Sequence, residues 1–224
     1  AIAIAHKHGA LWIMDEMITG FKTDYPGSIK RLNAQPDMAT WGKGIANGFS
    51  FCALTGKKEV MQLCGINRTG EKKLFLVSTT HGGETHSIAA GLATMDVFEN
   101  EPVIEHNQKI GQYFIDGITS ILDRRSLNDY FKIMGFNWSV GLGVMGQDKQ
   151  PSMEYRTLFM QEMIQRGVLY QGILSPCYSH TEDDIDLMIA AFDESCEVFQ
   201  NALDEGVEKY LVGDAIKPVF RQFN

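Results

Sequence analysis

The first hundred residues carry short apolar runs separated by polar and glycine-rich stretches, a pattern typical of an α/β domain. Ala10 to Met14 is a near-continuous apolar run, which predicts a strand in a parallel sheet covered on both faces. The residues before it are predicted to end a helix, with Gly9 as its stop. Further strands are predicted over 36–41, 51–55 and 74–77, and helices over 57–64 and 84–100.

The second half of the chain has a different pattern of apolar and polar residues. A helix is predicted from Pro102, in its first turn, to Arg125, because apolar residues recur there at helical spacing. The residues expected on its core face are Val103, Ile110, Phe114, Ile118 and Ile121. The pattern then predicts a bent antiparallel strand or hairpin over 130–144, a helix over 155–167, a strand over 168–174, and a helix over 182–205 capped by Thr181. Residues 1–100 are therefore predicted to end an α/β domain, and residues 101–224 to form a long linking helix and a smaller α+β domain.

Composition is that of an ordinary globular protein, and it argues against two classes of partner. The 224 residues are 44% hydrophobic and 21% charged, and no apolar run approaches the roughly 20 residues that a membrane helix needs. The net charge of −8 argues against a nucleic-acid surface, which would need a clustered basic face. Neither nucleic acid nor membrane is therefore expected as a partner.

The spacing of cysteine and histidine indicates no metal site. The four cysteines lack metal-ligand spacing and are expected to be reduced thiols in a reducing compartment, which predicts a cytoplasmic location. No HExxH motif is present, and His81 and His86 are five positions apart, a poor spacing for a shared metal on a helix. His180 precedes a predicted helix, where a capping or packing role is expected.

The candidate chemistry centres on two residues 28 positions apart. Asp15 ends the apolar run, and Lys43 stands between Gly42 and Gly44. An acid and a lysine so placed suit pyridoxal phosphate (PLP), because the lysine forms a Schiff base with the cofactor and the carboxylate holds the pyridine nitrogen protonated. The two glycines would leave room for the cofactor beside the backbone.

Each half of this pair also occurs in proteins that do not use PLP. Asp15-Glu16 after an apolar run is also typical of the Walker B strand of a P-loop ATPase fragment. A second alternative is a strand whose terminal acids cap the next turn. For Glu16 the structural role is preferred. Gly-Lys-Gly is a common surface turn, and the chain contains no G-x-x-x-x-G-K-[ST] motif. A non-catalytic dimerising or regulatory domain is a further alternative, although such a domain has little need of Lys43.

Three sequence blocks, in their order and spacing, resemble the class III aminotransferases of PLP fold type I, and most closely the glutamate-1-semialdehyde aminomutase-like branch. They are Asp-Glu-x-x-Thr-Gly-Phe from Asp15, Pro-Asp-Met-Ala-Thr-Trp-Gly-Lys ending at Lys43, and Ser-Thr-Thr-His-Gly-Gly-Glu from Ser78. The resemblance covers residues 9–95 and continues more loosely to about residue 186. It implies an α/β fold in which residues 1–100 are the end of the large PLP-binding domain and residues 101–224 include the small C-terminal domain.

The resemblance implies roles for four residues. Lys43 would be the catalytic Schiff-base lysine and proton shuttle, and Asp15 would pair with the pyridine nitrogen. Met17 would pack on one face of the cofactor ring, where the family usually has Val or Ile. Thr80 would reach across a homodimer interface to the phosphate of the neighbouring subunit's cofactor.

The activity implied by the resemblance is transfer of an amino group from a small-molecule donor to an aldehyde or ketone acceptor. The alternative is a glutamate-1-semialdehyde 2,1-aminomutase, which usually shows a Gly-Gly-Gly run where this chain has Ile45-Ala46-Asn47-Gly48. Family members carry a sizeable segment before the point where this sequence starts, with the loop for the cofactor's phosphate and the aromatic that stacks on the ring. The chain is therefore expected to be the C-terminal part of a longer enzyme and a poor catalyst by itself.

The motifs do not specify the substrates. Four arginines are candidate clamps for a substrate carboxylate or phosphate, and each could equally be a surface charge: Arg31, Arg68, Arg156 and Arg166.

Overall fold

A computed structural model describes residues 2–65, 70 and 80–217 of the chain. The strand predicted over 74–77, together with Ser78 and Thr79, lies outside the described residues. The chain divides into two compact units, called unit 1 (Ala1–Ile104) and unit 2 (Glu105–Asn224). In the described ranges each unit has a three-stranded sheet and a hydrophobic cluster of its own.

Unit 1 alternates short strands and helices, as its apolar pattern predicts. Gly9, with a φ of 68°, follows the first helix at the predicted stop. The elements of the described residues are α1 Ile2–Lys7, β1 Ile13–Asp15, α2 Ser28–Arg31, β2 Met38–Trp41, a 3-10 turn Lys43–Ile45, β3 Ala53–Gly56, α3 Lys58–Met61, a 3-10 turn Gln62–Cys64 and α4 Thr85–Asn100.

The three strands of unit 1 form a mixed sheet in the order β1–β2–β3. β1 and β2 are parallel, with Ile13 opposite Met38 and Asp15 opposite Thr40. β3 is antiparallel to β2. The parallel pairing predicted for the apolar run is therefore confirmed, although the strand itself begins only at Ile13.

The described residues cover only one face of this sheet. On that face Trp41 is buried with Phe21, and the Phe21 ring meets the ring of Phe98 in α4 edge-on, with 5.2 Å between centroids. On the opposite face Ile13 is 53% exposed and Leu54 is 48% exposed. The predicted coverage of β1 on both faces is therefore wrong for the described residues, because alternate side chains of a strand point to opposite faces and α4 packs on only one of them.

Up to residue 217, unit 2 contains three α-helices and an antiparallel sheet in the order β4–β5–β6. The long helix α5 begins just before the boundary between the units. The elements are α5 Val103–Arg125, β4 Phe131–Phe136, β5 Ser139–Val144, α6 Met153–Gln165, β6 Ile173–Leu174, α7 Glu182–Glu205 and a 3-10 turn Val207–Lys209. The predicted hairpin is confirmed by the pairing of β4 with β5.

The core of unit 2 follows the helical spacing of its sequence. All five residues predicted for the core face of α5 are buried, at 5% exposure or less. At the start of α7, Thr181 and Asp184 form a capping box, in which each side chain accepts a hydrogen bond from the other residue's backbone N–H. The predicted cap and the start of the last long helix are thereby confirmed.

One strand of unit 2 is shorter than predicted. The pattern predicts a strand over 168–174, but β6 contains only Ile173 and Leu174. The N–H of Val168 instead donates to the carbonyl of Met163 and closes the end of α6. Gly172 then has a φ of 88°, which interrupts extended backbone immediately before β6.

Candidate functional site

The parallel register of unit 1 brings the two halves of the predicted PLP pair to one edge of the sheet. Asp15 is the last residue of β1 and lies opposite Thr40 in β2. Lys43 follows Thr40 by three residues and opens the 3-10 turn just past the end of β2. Because parallel strands end in the same direction, Asp15 and Lys43 both lie at the carboxyl end of this strand pair. Both side chains are exposed.

The Asp15 carboxylate is oriented by two donors on one oxygen. Asp15 Oδ1 accepts a hydrogen bond of 2.9 Å from the backbone N–H of Met17 and one of 3.1 Å from the Thr40 hydroxyl. Among the described residues, Oδ2 receives none. One carboxylate oxygen is therefore held by the protein, and the other is available to an additional donor.

Met17 occupies the space beside the backbone before Lys43. A Cβ built on Gly42 would collide with the terminal methyl group of Met17 and lie 2.9 Å from its Sδ. The φ of Gly42, −174°, is extended backbone that any residue adopts. Conformation therefore does not require glycine here, and a larger residue would fit only if the flexible end of the Met17 side chain moved aside. Gly44 differs, because its Cβ would lie 3.5 Å from Phe21 Cβ, an ordinary contact.

Lys43 has unusual backbone geometry and a side chain without a partner in the part of the chain that the structure describes. Its φ of 51° is in the left-handed region, which is uncommon for residues other than glycine. The turn that it opens is backed by α4, since a Cβ on Gly91 would lie 3.6 Å from the carbonyl oxygen of Ile45. The lysine is thus displayed from a short turn packed against a long helix.

Thr80 lines a different cleft of unit 1. It is exposed and borders a cleft of about 510 Å³ together with Phe51, Cys52 and the start of α4. The described lining of this cleft does not include Asp15, Met17 or Lys43. The hydrogen bond from Met17 to Asp15 and the approach of Met17 to Gly42 bring three of the four predicted site residues together. Thr80 lines the cleft that contains Cys52, whose Cβ would lie 3.7 Å from a Cβ on Gly42.

Glu16, next to the key aspartate, has the structural role expected for it. It is fully buried, and its carboxylate accepts hydrogen bonds from the N–H groups of Ser28 and Ile29 at the start of α2 and from the hydroxyl of Thr19. An acid that satisfies the first N–H groups of a helix acts as its cap. Glu16 thus ties the end of β1 to α2.

Asp37, a residue to which the sequence interpretation gave no role, joins three segments of unit 1. Its carboxylate, in a residue only 3% exposed, contacts Lys57 Nζ at 2.7 Å, the N–H of Trp12 at 2.8 Å and His6 Nε2 at 2.7 Å. The hydrogen bond from Lys57, followed by those from Trp12 and His6, holds the pKa of Asp37 well below its usual range. This site is at the end of β2 away from Lys43. Its signal in the sequence is an acid near the start of the strand predicted over 36–41, within the second block that carries the resemblance.

The candidate substrate clamps and His180 have local partners. Arg166 forms ion pairs with Glu162 at 2.7 Å and Glu194 at 3.0 Å. Arg31 and Arg156 each donate to a backbone carbonyl, and Arg68 lies outside the described residues. His180 accepts a hydrogen bond from the N–H of Cys177 through Nδ1, which fits its expected structural role.

Other sequence expectations concern absences. The described residues contain no group of three or more acids, histidines and cysteines arranged to hold a metal ion. Within the same residues, none of the helices combines the length and the apolar character needed to span a bilayer. Cys52, Cys177 and Cys196 are free thiols. The cytoplasmic location stays a prediction.

Comparison with known proteins identifies the family. The class III aminotransferase family matches residues 1–213, nearly the whole chain, and the chain belongs to this family. A glutamate-1-semialdehyde 2,1-aminomutase of Methanosphaera stadtmanae is 37% identical over 204 residues, which cover 85% of this chain and 46% of the relative. A 3-aminobutyryl-CoA aminotransferase of Cloacimonas acidaminovorans is 26% identical over 196 residues, which cover 86% of this chain and 45% of the relative. The chain thus spans about half the length of the curated relatives it matches.

Solved structures show the same fold. The FumI protein of Sphingopyxis sp. MTA144, in its PLP internal aldimine form, matches with a TM-score of 0.78 at 20% identity, over 92% of this chain and 47% of that chain. An omega-transaminase from Sphaerobacter thermophilus matches with a TM-score of 0.73 at 21% identity, over 88% of this chain and 46% of that chain. The chain therefore has the α/β fold of the fold-type-I PLP aminotransferases over about half their length. Its family membership argues against the P-loop ATPase alternative.

Proposed function

We propose that this protein is a PLP-dependent aminotransferase that moves an amino group between a small-molecule donor and an aldehyde or ketone acceptor. The observation that carries the proposal is the parallel register of β1 and β2, which sets Asp15 opposite Thr40, three residues before Lys43. A carboxylate and an exposed lysine at one carboxyl edge of a sheet are the two groups that PLP chemistry needs. Membership of the class III family supports this assignment.

The side chains at this edge fit PLP. Lys43 would hold the cofactor's aldehyde group, Asp15 Oδ2 its ring nitrogen, and Met17 one face of its ring. The close approach of Met17 to Gly42 supports the last role, because it sets an apolar, adaptable thioether beside the lysine. Bound PLP supplies an electron sink for the electron pair left when a proton leaves the donor carbon.

The chain's own groups would orient the cofactor and move the proton. The Asp15 carboxylate would stabilise a positive charge on the ring nitrogen through a charge-assisted hydrogen bond. Lys43 Nζ would take a proton from the donor carbon. It would return that proton to the carbon of the cofactor that carried the aldehyde group. Among the described residues this amine has no ion-pair partner, so no salt bridge has to break before it moves.

Thr80 would serve a second copy of the chain in a homodimer. Its hydroxyl lies on an exposed loop before α4, beside Gly82 and Gly83, in a cleft whose described lining lacks Lys43. A hydroxyl and adjacent N–H groups at the start of a helix suit a phosphate. The exposure of Thr80 supports a role at the partner subunit's cofactor, because it leaves the residue accessible to a second copy of the chain.

Borohydride reduction with peptide mass mapping tests the proposal directly. Reduction of the full-length protein loaded with PLP should leave a pyridoxyl adduct on the peptide that contains Lys43. Lys57 is the internal control, because it is held by Asp37 at 2.7 Å at the other end of β2 and should carry none. No adduct on any lysine, with PLP in excess, would reject the enzyme proposal and favour a non-catalytic relative.

An aminomutase of the glutamate-1-semialdehyde type is the second candidate. It is favoured by the 37% identity to the Methanosphaera stadtmanae protein of that name. It is disfavoured by Ile45-Ala46-Asn47-Gly48 where that enzyme usually shows three glycines. Incubating the full-length protein with glutamate-1-semialdehyde decides between the two, since formation of 5-aminolevulinate without an added amino acceptor would identify the aminomutase.

A further inference from the structure

We infer that Thr40 is a positioning residue for Asp15, acting through its hydroxyl on the carboxylate that faces the cofactor's ring nitrogen. The inference rests on the proposed function, since it concerns the residue proposed to bind PLP. Thr40 is the only hydroxyl residue in the second of the three blocks that carry the resemblance, and the resemblance assigns it no role.

The register of the sheet places Thr40 where it can act. Thr40 is the direct partner of Asp15 across the parallel β1–β2 pair. Its backbone carbonyl accepts the N–H of Glu16 at 3.0 Å, and its hydroxyl donates to Asp15 Oδ1 at 3.1 Å. Thr40 therefore fixes both the backbone that follows Asp15 and the carboxylate itself.

The effect of the hydrogen bond from Thr40 depends on which oxygen of the Asp15 carboxylate accepts it. Asp15 is exposed, and an exposed carboxylate is free to rotate unless hydrogen bonds hold it. The Thr40 hydroxyl and the Met17 N–H both donate to Oδ1, and within the described part of the chain nothing donates to Oδ2. Two donors on the same oxygen select one rotational state of the carboxylate and leave the other oxygen for a cationic N–H donor.

Thr40 differs from the other threonine of this sheet that forms a side-chain hydrogen bond across strands. Thr55 in β3 accepts a hydrogen bond of 2.8 Å from the indole N–H of Trp41, which belongs to the covered face. Its hydroxyl thus supports packing and does not contact Asp15. The two threonines form a matched pair in which only one is predicted to act on the cofactor.

The test compares Thr40→Val, Thr40→Ser and Thr55→Val in the full-length protein. PLP labelled with ¹⁵N in the ring reports by NMR whether its nitrogen is protonated, and a fluorescence titration gives the PLP dissociation constant. Thr40→Val keeps the shape and strand propensity of threonine but lacks the hydroxyl. We expect weaker PLP binding by about tenfold, the scale of one hydrogen bond to a charged group. We also expect the ring nitrogen to lose its proton at lower pH than in the wild type.

The other variants separate positioning from structural damage. Thr40→Ser retains the donor and should restore both signals, whereas Thr55→Val should lower the melting temperature and leave the ¹⁵N signal unchanged. If Thr40→Val does not fold, Thr40→Ala takes its place. Wild-type ring protonation and wild-type affinity in the hydroxyl-free variant would overturn the inference while leaving the proposed function intact. A wild-type protein that binds no PLP at Lys43 would overturn both.

Discussion

The two units of this chain use their apolar side chains differently. In unit 2, Phe114, Phe159, Phe192 and Phe199 are all at 1% exposure or less, in one cluster drawn from three helices and the sheet. In unit 1, the buried cluster of the described residues is small, and Leu11, Ile13, Ile18 and Leu54 are each about half exposed. Within the described part of the chain unit 2 thus has the larger core, although both units leave large apolar side chains exposed, such as Phe136 and Ile173 of the unit 2 sheet at 62% and 58%.

The candidate chemistry lies in the unit with the smaller core. Asp15, the proposed partner of the ring nitrogen, and Lys43, the proposed catalytic lysine, are exposed at the edge of the unit 1 sheet, and neither belongs to a hydrophobic cluster. Side chains that make few packing contacts are replaceable with little effect on folding. The comparison thus separates residues that stabilise the protein from residues that are proposed to act on substrate. Substitutions of the first kind should change stability, and those of the second kind should change activity.

The largest expected effect is the loss of turnover in Lys43→Ala. Transamination by the full-length protein should fall by at least about a thousandfold, because the covalent anchor and the proton carrier are removed together. The free energy of unfolding without added cofactor should stay within about 0.5 kcal/mol of the wild type, since Lys43 is exposed and alanine leaves the strained backbone turn as it is. Steady-state kinetics and urea denaturation measure the two quantities. Unchanged turnover would reject the proposed role of Lys43.

Mixed dimers extend this prediction to Thr80. Lys43→Ala and Thr80→Ala subunits, each impaired alone, should regain activity when mixed, because a heterodimer contains one site with an intact Lys43 and the partner's intact Thr80. Random mixing would give about a quarter of the wild-type activity, since half of the dimers are mixed and each has one complete site. No recovery would show that Thr80 does not serve the partner's cofactor. Mixing Lys43→Ala with itself is the control.

Truncation of an apolar side chain in each unit tests the comparison through stability. Phe192→Ala should lower the free energy of unfolding by about 3–5 kcal/mol, because it opens a cavity between the rings of Phe131 and Phe159. Leu54→Ala, on the open face of unit 1, should cost less than about 1 kcal/mol. Urea denaturation of the full-length protein measures both. A similar loss for the two variants would break the comparison, since it would mean that a further segment or a partner covers the unit 1 face.

The sequence predicts these packing positions better than it predicts the contacts of the site. Helical spacing identifies the core face of α5 correctly, from Val103 to Ile121, because the period of a helix is a local property. The prediction that β1 is covered on both faces is not met by the described residues, because coverage of a strand depends on which element packs on each face. The bond from Thr40 to Asp15 depends on the register of two strands far apart in sequence, which no local pattern encodes.

The smallest expected effect concerns acid stability and compares a carboxylate from each unit. The hydrogen bond from Lys57, with those from Trp12 and His6, lowers the pKa of Asp37, so the folded state binds fewer protons than the unfolded state. The stabilisation is therefore present above the ordinary aspartate pKa of about 3.9 and is lost as the pH falls below it.

The Asp37→Asn variant should accordingly lose stability at neutral pH and show a shallower decline between about pH 5 and pH 3 than the wild type. In unit 2 the hydrogen bond from Arg125 lowers the pKa of Asp193 in the same direction. Asp193→Asn should change the slope less, because Asp193 is partly exposed and bound by two adjacent arginines of one helix, whereas Asp37 is buried and joins three segments. The midpoints of urea denaturation, measured for both variants and the wild type between about pH 5 and pH 3, give the slopes. An equal or larger change for Asp193→Asn would show that the well-packed unit, and not the sheet that carries the candidate site, sets the acid sensitivity of the protein.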